Sequence, residues 1–380
     1  MREEPGCIKK EEKKKMSVIR CKMEAPGQCV EAFELEWKEA ECPRLEEIFV
    51  EGDFRKEALN RYLKETRKLA PGDVKKVELA DGILKIQVEP FSNRGDYSLC
   101  ITKRKYQKAD FDEETTEGFS AFEAYKEDDV LYRLYSPATE EKRPLILFLH
   151  GGGNGGTADS RDNKKQILAD YGPIHFAQEY PDVYVMAPQA IEKAFDPKKM
   201  AAQITTVTFE TSGGDPENGW SRRYLAKVCD IIRKMIREGK VDENRVYVTG
   251  LSMGGGGTIR AMSVGGGLFA ACAPVCPTMT PETFDILRTL KAPVWVSTAY
   301  VDHTVYRHKY ITDAVLEMKD AGNKEAHLTI YSPEELAKYD IGIVPQMTYE
   351  QRFGANHASW VLTYHNEHGI MSWLLNQRKK

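Results

Sequence analysis

Long apolar runs are missing from this chain of 380 residues. Stretches such as Leu145–Leu149 fall far short of the roughly 20 apolar residues that a bilayer span requires, so no membrane partner is expected. A surplus of positive charge is missing as well. Lys and Arg number 54 against 58 Asp and Glu, a formal net charge of -4, and both signs are spread along the chain. Without the basic field that a phosphate backbone demands, nucleic acid is not an expected partner. The eight cysteines (7, 21, 29, 42, 100, 229, 272 and 276) lack paired CxxC spacing, so no metal site is read from them. They are expected to be reduced and structural, Cys272 and Cys276 in particular lying in an apolar stretch. The first residues, MREEPGCIKKEEKKKMSVIR, carry charge where a secretory signal has its apolar segment, which makes a cytoplasmic location the expectation.

What is present is the balance of a globular protein: 41% hydrophobic and 29% charged residues. The length exceeds one ordinary core, so a large domain with a smaller companion is expected. Residues 1–16 read as a charged tail, 17–110 as a small all-β domain and 111–380 as an α/β domain, with KADFDEETTEG as the linker. In the β region, SVIRCKM, AFELEWK, EEIFVEG and YSLCITK alternate as strands, and VELADGILKIQVE places Asp-Gly between two such runs, the chemistry of a tight hairpin. A helix is expected at RKEALNRYLKETRKL, where Ala58, Leu59, Tyr62 and Leu63 recur at helical spacing.

Beyond the linker, apolar strands alternate with helical patterns, the signature of a mainly parallel sheet covered on both faces. The strands are VLYRLYS, RPLILFLH, VYVMAPQ, RVYVTG, APVWVST and AHLTIYS. Tyr224, Leu225, Val228, Ile231, Ile232, Met235 and Ile236 form one helical stripe, closed by a glycine.

Residues 248–257 read VTGLSMGGGG. Gly250-Leu251-Ser252-Met253-Gly254 fits G-x-S-x-G between a strand and a glycine-rich helix start, where the turn is too tight for side chains two residues either side of the serine. Ser252 is therefore the candidate nucleophile, exposed above the carboxyl ends of the strands. RPLILFLHGGGNGG ends a second strand in His-Gly-Gly-Gly, a form that supplies an oxyanion-hole amide. Gly152 and Gly153, with the N–H of Met253, are the candidate donors to the developing negative oxygen, and His150 braces that loop. No GxGxxG or Walker spacing turns these glycines into a phosphate cradle.

A serine needs a base, and an imidazole with an ordinary pKa near 6.5 is the usual one. His357 in FGANHASW follows the last strand and is the candidate. The acid belongs between Ser252 and His357 after a strand, where APVWVSTAYVDHTV offers Asp302 ahead of Asp313, Asp320 and Asp340. His303, His308 and His327 read as structural, and His365 and His368 as surface residues. Trp220 and Trp360, the aromatics nearest these motifs in sequence, are the candidate substrate-binding walls. At least one of the polar, poorly periodic segments 197–219 and 331–354 is expected to border the pocket.

From about Gly118 onward the chain resembles the α/β-hydrolase superfamily, within it the esterases of the polyhydroxybutyrate-depolymerase and feruloyl-esterase type, often called predicted peptidases. The stretches that carry the resemblance are YRLYSP, PLILFLHGGGNGG, GPIHFA, VMAPQ, VDENRVYVTGLSMGG, VDHTV and GANHASW. It implies an α/β-hydrolase fold and a Ser252-Asp302-His357 triad acting on small-molecule carboxylic esters, such as acetyl or feruloyl esters of plant-derived carbohydrate, with no metal or cofactor. A serine peptidase and a non-catalytic binding protein on the same scaffold are the alternatives. One departure stands out: relatives carry His-Gly ahead of the acid, whereas here the pair is Thr298-Ala299. The β region resembles, by pattern alone, the immunoglobulin-like domain that precedes some of these esterases. Such a domain is a candidate cap over the active site, a candidate surface for homo-oligomer formation, or a stabiliser of the fold.

Overall fold

The computed structural model describes residues 17–24, 27–55, 64–68, 73–93, 95–168, 171–192, 219–300, 302, 305–339 and 356–379. The chain divides into two compact units, one of Met1–Cys21, Val30–Phe54 and Thr66–Thr115, the other of Lys22–Cys29, Arg55–Glu65 and Thr116–Lys380.

Nine strands precede the α/β region: β1 (Ser17–Glu24), β2 (Gly27–Glu36), β3 (Ile48–Arg55), β4 (Lys64–Lys68), β5 (Val74–Ala80), β6 (Ile83–Ser92), β7 (Tyr97–Ile101), β8 (Arg104–Gln107) and β9 (Glu113–Thr116). They form a five-stranded sheet in the order β5-β6-β2-β1-β9 and a four-stranded sheet in the order β4-β3-β7-β8. The Asp-Gly hairpin is present: β5 and β6 pair antiparallel up to Ala80 and Ile83, and Asp81 (φ 51°) and Gly82 (φ 73°) turn the chain in left-handed conformation. Alternate residues of β6, Leu84, Ile86 and Val88, are buried. They join Phe33 and Leu35 of β2 and Ile48, Val50, Leu99 and Ile101 of the other sheet in one apolar cluster. The expected helix at 55–69 does not hold where it can be judged, because Lys64–Lys68 is a strand beside β3. A ladder partner satisfies its backbone and outweighs a helical spacing of apolar residues. Residues 56–63 lie outside those described.

The α/β unit carries β10 (Phe122–Glu127), β11 (Val130–Tyr135), β12 (Arg143–Leu149), β13 (Tyr184–Gln189), β14 (Val241–Leu251), β15 (Ala271–Val275), β16 (Val294–Ala299) and β17 (Ala326–Tyr331). They lie in the order β10-β11-β13-β12-β14-β15-β16-β17. β10 and β11 are antiparallel to their neighbours, and from β13 through β17 every pairing is parallel. The helices of this unit include α1 (Pro173–Glu179), α2 (Arg222–Arg237), α3 (Met253–Gly265), α4 (Pro281–Thr289), α5 (Val305–Asp320), α6 (Trp360–Tyr364) and α7 (Ile370–Asn376).

Strand β12 shows why its sequence is apolar from Pro144 to Leu149. Leu145, Leu147 and Leu149 belong to one apolar cluster with Leu225 and Val228 of α2, Ile259 of α3 and Val315 of α5. Ile146 and Phe148, pointing the other way, pack with Phe176 of α1, Val361 of α6 and Leu374 of α7. A strand covered on both faces needs an unbroken apolar run rather than alternation, and each such side chain contributes roughly 1.5–3 kcal/mol by leaving water. Helix α2 buries the stripe read from the sequence up to Met235, with Ile236 half-buried, and Ser221 caps it by accepting a hydrogen bond from the Tyr224 amide at 3.2 Å. Among the described residues no helix is long and apolar enough to cross a membrane.

Candidate active site

Ser252 stands between the end of β14 and the start of α3 with φ 56° and ψ -116°, a conformation a non-glycine residue adopts only when its surroundings impose it. The two flanking glycines show how. A Cβ at Gly250 would come within 2.5 Å of the carbonyl oxygens of Leu149 and Gly254, and one at Gly254 within 1.9 Å of the Leu149 carbonyl. Strand and helix approach too closely for any side chain there. The serine backbone is tied to the next strand as well, its N–H donating to Val275 O and its carbonyl accepting from Thr278 N, both at 3.0 Å.

The Ser252 hydroxyl lies 2.8 Å from His357 Nε2, and His357 Nδ1 lies 2.6 Å from Asp302 Oδ1. A carboxylate only accepts, so Nδ1 carries the hydrogen and Nε2 is left to accept from the serine hydroxyl. Asp302 is fully buried and His357 nearly so. The other carboxylate oxygen, Oδ2, accepts from the Thr298 hydroxyl at 3.1 Å. The residue that departs from the pattern of the resembled esterases thus supplies a hydrogen bond that holds the acid.

Behind the serine, the glycine-rich loop after β12 is held by two side chains. His150 is fully buried; Nδ1–H donates to Gly151 O at 2.7 Å, and Nε2 accepts from the Ala190 amide at 3.0 Å. Burial pushes its pKa down to about 4, against the opposing pull of the bond to Gly151. The ring is therefore neutral near pH 7 and serves as a brace. Glu192 is the second. Its carboxylate accepts from the Gly153 amide at 3.1 and 3.2 Å and from the Gly155 amide at 2.6 Å. Burial raises its pKa, and the two amides work in the opposite direction. The sequence reading missed Glu192; the available signal was an acidic residue just past the carboxyl end of VYVMAPQ, where sites form in α/β sheets.

Three of the residues singled out from the sequence are engaged within the protein. Gly153 gives its N–H to Glu192, while Met253 opens α3, where an N–H has no intrahelical acceptor. Trp220 is fully buried with its Nε1–H donating to His150 O at 3.0 Å, and it packs where a Cβ on Gly257 would meet its ring at 2.6 Å. It supports the loop from within the core. Trp360 is also buried and sets its ring edge-on to His357, centroids 5.6 Å apart, so it positions the imidazole instead of forming an open wall.

The remaining described histidines are engaged elsewhere: His175 with Tyr171, His327 with Trp295, His365 stacked on Tyr171 and His368 against Glu335. The side chains of His303 and His308 lie outside the described residues. Most of the two segments expected to border the pocket, residues 197–218 of the first and 340–354 of the second, also lies outside them. Of the first segment Gly219 is described, and a Cβ on it would come within 2.8 Å of Met253 Sδ, next to the serine.

Residues 97–280 match the acetyl xylan esterase family, a stretch that contains the glycine loop and Ser252 and ends before Asp302 and His357. No curated protein matches the chain. Among solved structures, a thermostable esterase aligns over 96% of this chain and 100% of its own with 21% identity and a TM-score of 0.65. Slighter likenesses are to a puromycin-hydrolyzing peptidase of Mycobacterium tuberculosis (13% identity, 74% of this chain and 44% of that one, TM-score 0.44) and to S-formylglutathione hydrolase of Staphylococcus aureus (13% identity, 67% and 95%, TM-score 0.41). At the identity of the thermostable esterase the likeness speaks for the fold, which is of the α/β-hydrolase type.

Proposed function

We propose that this chain is a serine hydrolase of carboxylic esters, working through an acyl-enzyme with Ser252 as nucleophile, His357 as general base and Asp302 as its orienting acid. The observation that carries the reading is the pair of contacts at 2.8 and 2.6 Å that joins the three side chains. His357 Nε2 takes the hydroxyl proton as Ser252 Oγ attacks the ester carbonyl, and the resulting imidazolium is stabilised by buried Asp302. The Gly152 and Met253 amides receive the tetrahedral oxyanion. The imidazolium then protonates the departing alcohol, and water, deprotonated by the same nitrogen, releases the acid.

The family match over 97–280 supports an acetyl ester of a carbohydrate as the substrate class, ahead of feruloyl and related acyl groups. Two sheets sharing one apolar cluster support an immunoglobulin-like reading of the β unit. Hydrolysis of chromogenic acyl esters of increasing chain length, run beside aminoacyl anilides, tests the reaction class. The expected result is turnover of short acyl esters. Preferential cleavage of the anilides would replace the proposal with a peptidase.

A further inference from the structure

The imidazole and carboxylate of the site have a third neighbour that the ester chemistry does not use. Cys276 follows β15, is fully buried, and has φ 36°, a left-handed conformation unusual for a side chain of this kind. Its backbone is pinned there by a 2.7 Å bond from its N–H to Ser297 O. The result is that Cys276 Sγ, an Asp302 carboxylate oxygen and a His357 ring nitrogen all come within 4.8 Å of one another. Among the described residues this is the one cluster of three such groups.

We propose that Cys276, Asp302 and His357 form an inhibitory binding site for a borderline-soft divalent cation, zinc above all. Sulfur, nitrogen and oxygen donors are the ligand set zinc takes, and with bonds of about 2.0–2.3 Å its donors stand roughly 3.3–3.8 Å apart. The site requires side-chain rotations that bring the cluster from within 4.8 Å to that spacing, with the contact between His357 and Asp302 opening as the ion enters. Charge favours the same ion. One thiolate and one carboxylate neutralise a dication, leaving no net charge in a buried place. Hard cations, which gather six or more oxygens, find no such shell among the described residues.

Binding releases one proton to solvent, from the Cys276 thiol, and none is consumed. Whichever imidazole nitrogen the ion takes, the base is lost. At Nδ1 it displaces the hydrogen that now faces Asp302, which moves to Nε2, so that Nε2 no longer accepts from Ser252. At Nε2 it occupies the accepting lone pair itself.

The test uses the full chain, wild type beside Cys276→Ala and Cys276→Ser. Zinc is titrated against hydrolysis of a short chromogenic acyl ester, with magnesium as control and a chelator to reverse the effect. Cadmium is titrated in parallel, and its thiolate charge-transfer absorption is read in the ultraviolet. The proposal expects wild-type inhibition by zinc, reversed by the chelator and absent with magnesium. It expects near wild-type turnover by the variants, with a rise of at least about tenfold in the zinc needed for half-inhibition. It also expects a cadmium band in the wild type that exceeds that of either variant by one site, since exposed Cys42 contributes equally to all. Equal zinc sensitivity in wild type and variants, or identical cadmium spectra, would overturn it. Because the cadmium spectrum needs no turnover, it decides the site even where ester hydrolysis itself fails; should the alanine variant lose its fold, the serine variant carries the comparison.

Discussion

Acidification from about neutral perturbs one fully buried imidazole whose two nitrogens have fixed and opposite roles. His150 donates from Nδ1 to Gly151 O and accepts at Nε2 from the Ala190 amide. Protonation would place a charge in the core and turn Nε2 into a donor facing another donor. Its pKa falls from 6.5 to about 4, a depression of 6.5 − 4 = 2.5 units, or roughly 3 kcal/mol at 1.36 kcal/mol per unit. Because the folded value lies below the unfolded one, this stability is present in full above about pH 6.5 and is lost as the pH falls toward 4. The assay is denaturant unfolding of wild type and His150→Asn across that window. Near neutral pH the variant should be less stable by about 1–3 kcal/mol, from a buried group left without a partner. The gap should then shrink by an amount of the same order on acidification. Glu192, whose raised pKa acts in the opposite sense, is common to both proteins and cancels. A gap that stays constant between neutral pH and 4 would refute the neutral, buried assignment of His150.

Two further predictions concern the frame around the serine. Glu192→Ala removes the acceptor of two loop amides; kcat for a short acyl ester should fall by about ten- to a hundredfold through a misplaced oxyanion donor, with Glu192→Gln recovering part of it through its remaining oxygen. A fall confined to KM would show that Glu192 acts on substrate binding and not on the oxyanion loop. Gly254→Ala sets a methyl 1.9 Å from a main-chain oxygen, so it should destabilise the protein by more than the about 1–3 kcal/mol of ordinary overpacking, read as a lowered midpoint of thermal unfolding. An unchanged midpoint would mean that strand and helix do not meet that closely.

Much of the site was legible because its residues sit at places where backbone geometry leaves little choice. Gly250 and Gly254 are dictated by main-chain oxygens that allow no Cβ, and a G-x-S-x-G after an apolar strand carries that constraint openly. The doubly covered strands were equally plain, since β12 reads as an apolar run from Pro144 to Leu149 and β13 as one from Tyr184 to Pro188. What escaped depended on partners distant in sequence. β15 is a short run of small residues, ACAPV, buried throughout by its neighbours and without a pattern of its own. β4 is a strand because β3 lies beside it. Trp220 stands close to the motifs in sequence yet points inward, toward the His150 carbonyl. Glu192 and Cys276 carry no motif, and their places are set by the ends of β13 and β15.

Covalent labelling tests the central claim most directly. A fluorophosphonate probe followed by peptide mass mapping should place its adduct on Ser252, with labelling abolished in Ser252→Ala and slowed by orders of magnitude in His357→Ala, since the hydroxyl then lacks its base. An adduct on another residue, or ester hydrolysis that survives unchanged in Ser252→Ala, would contradict it.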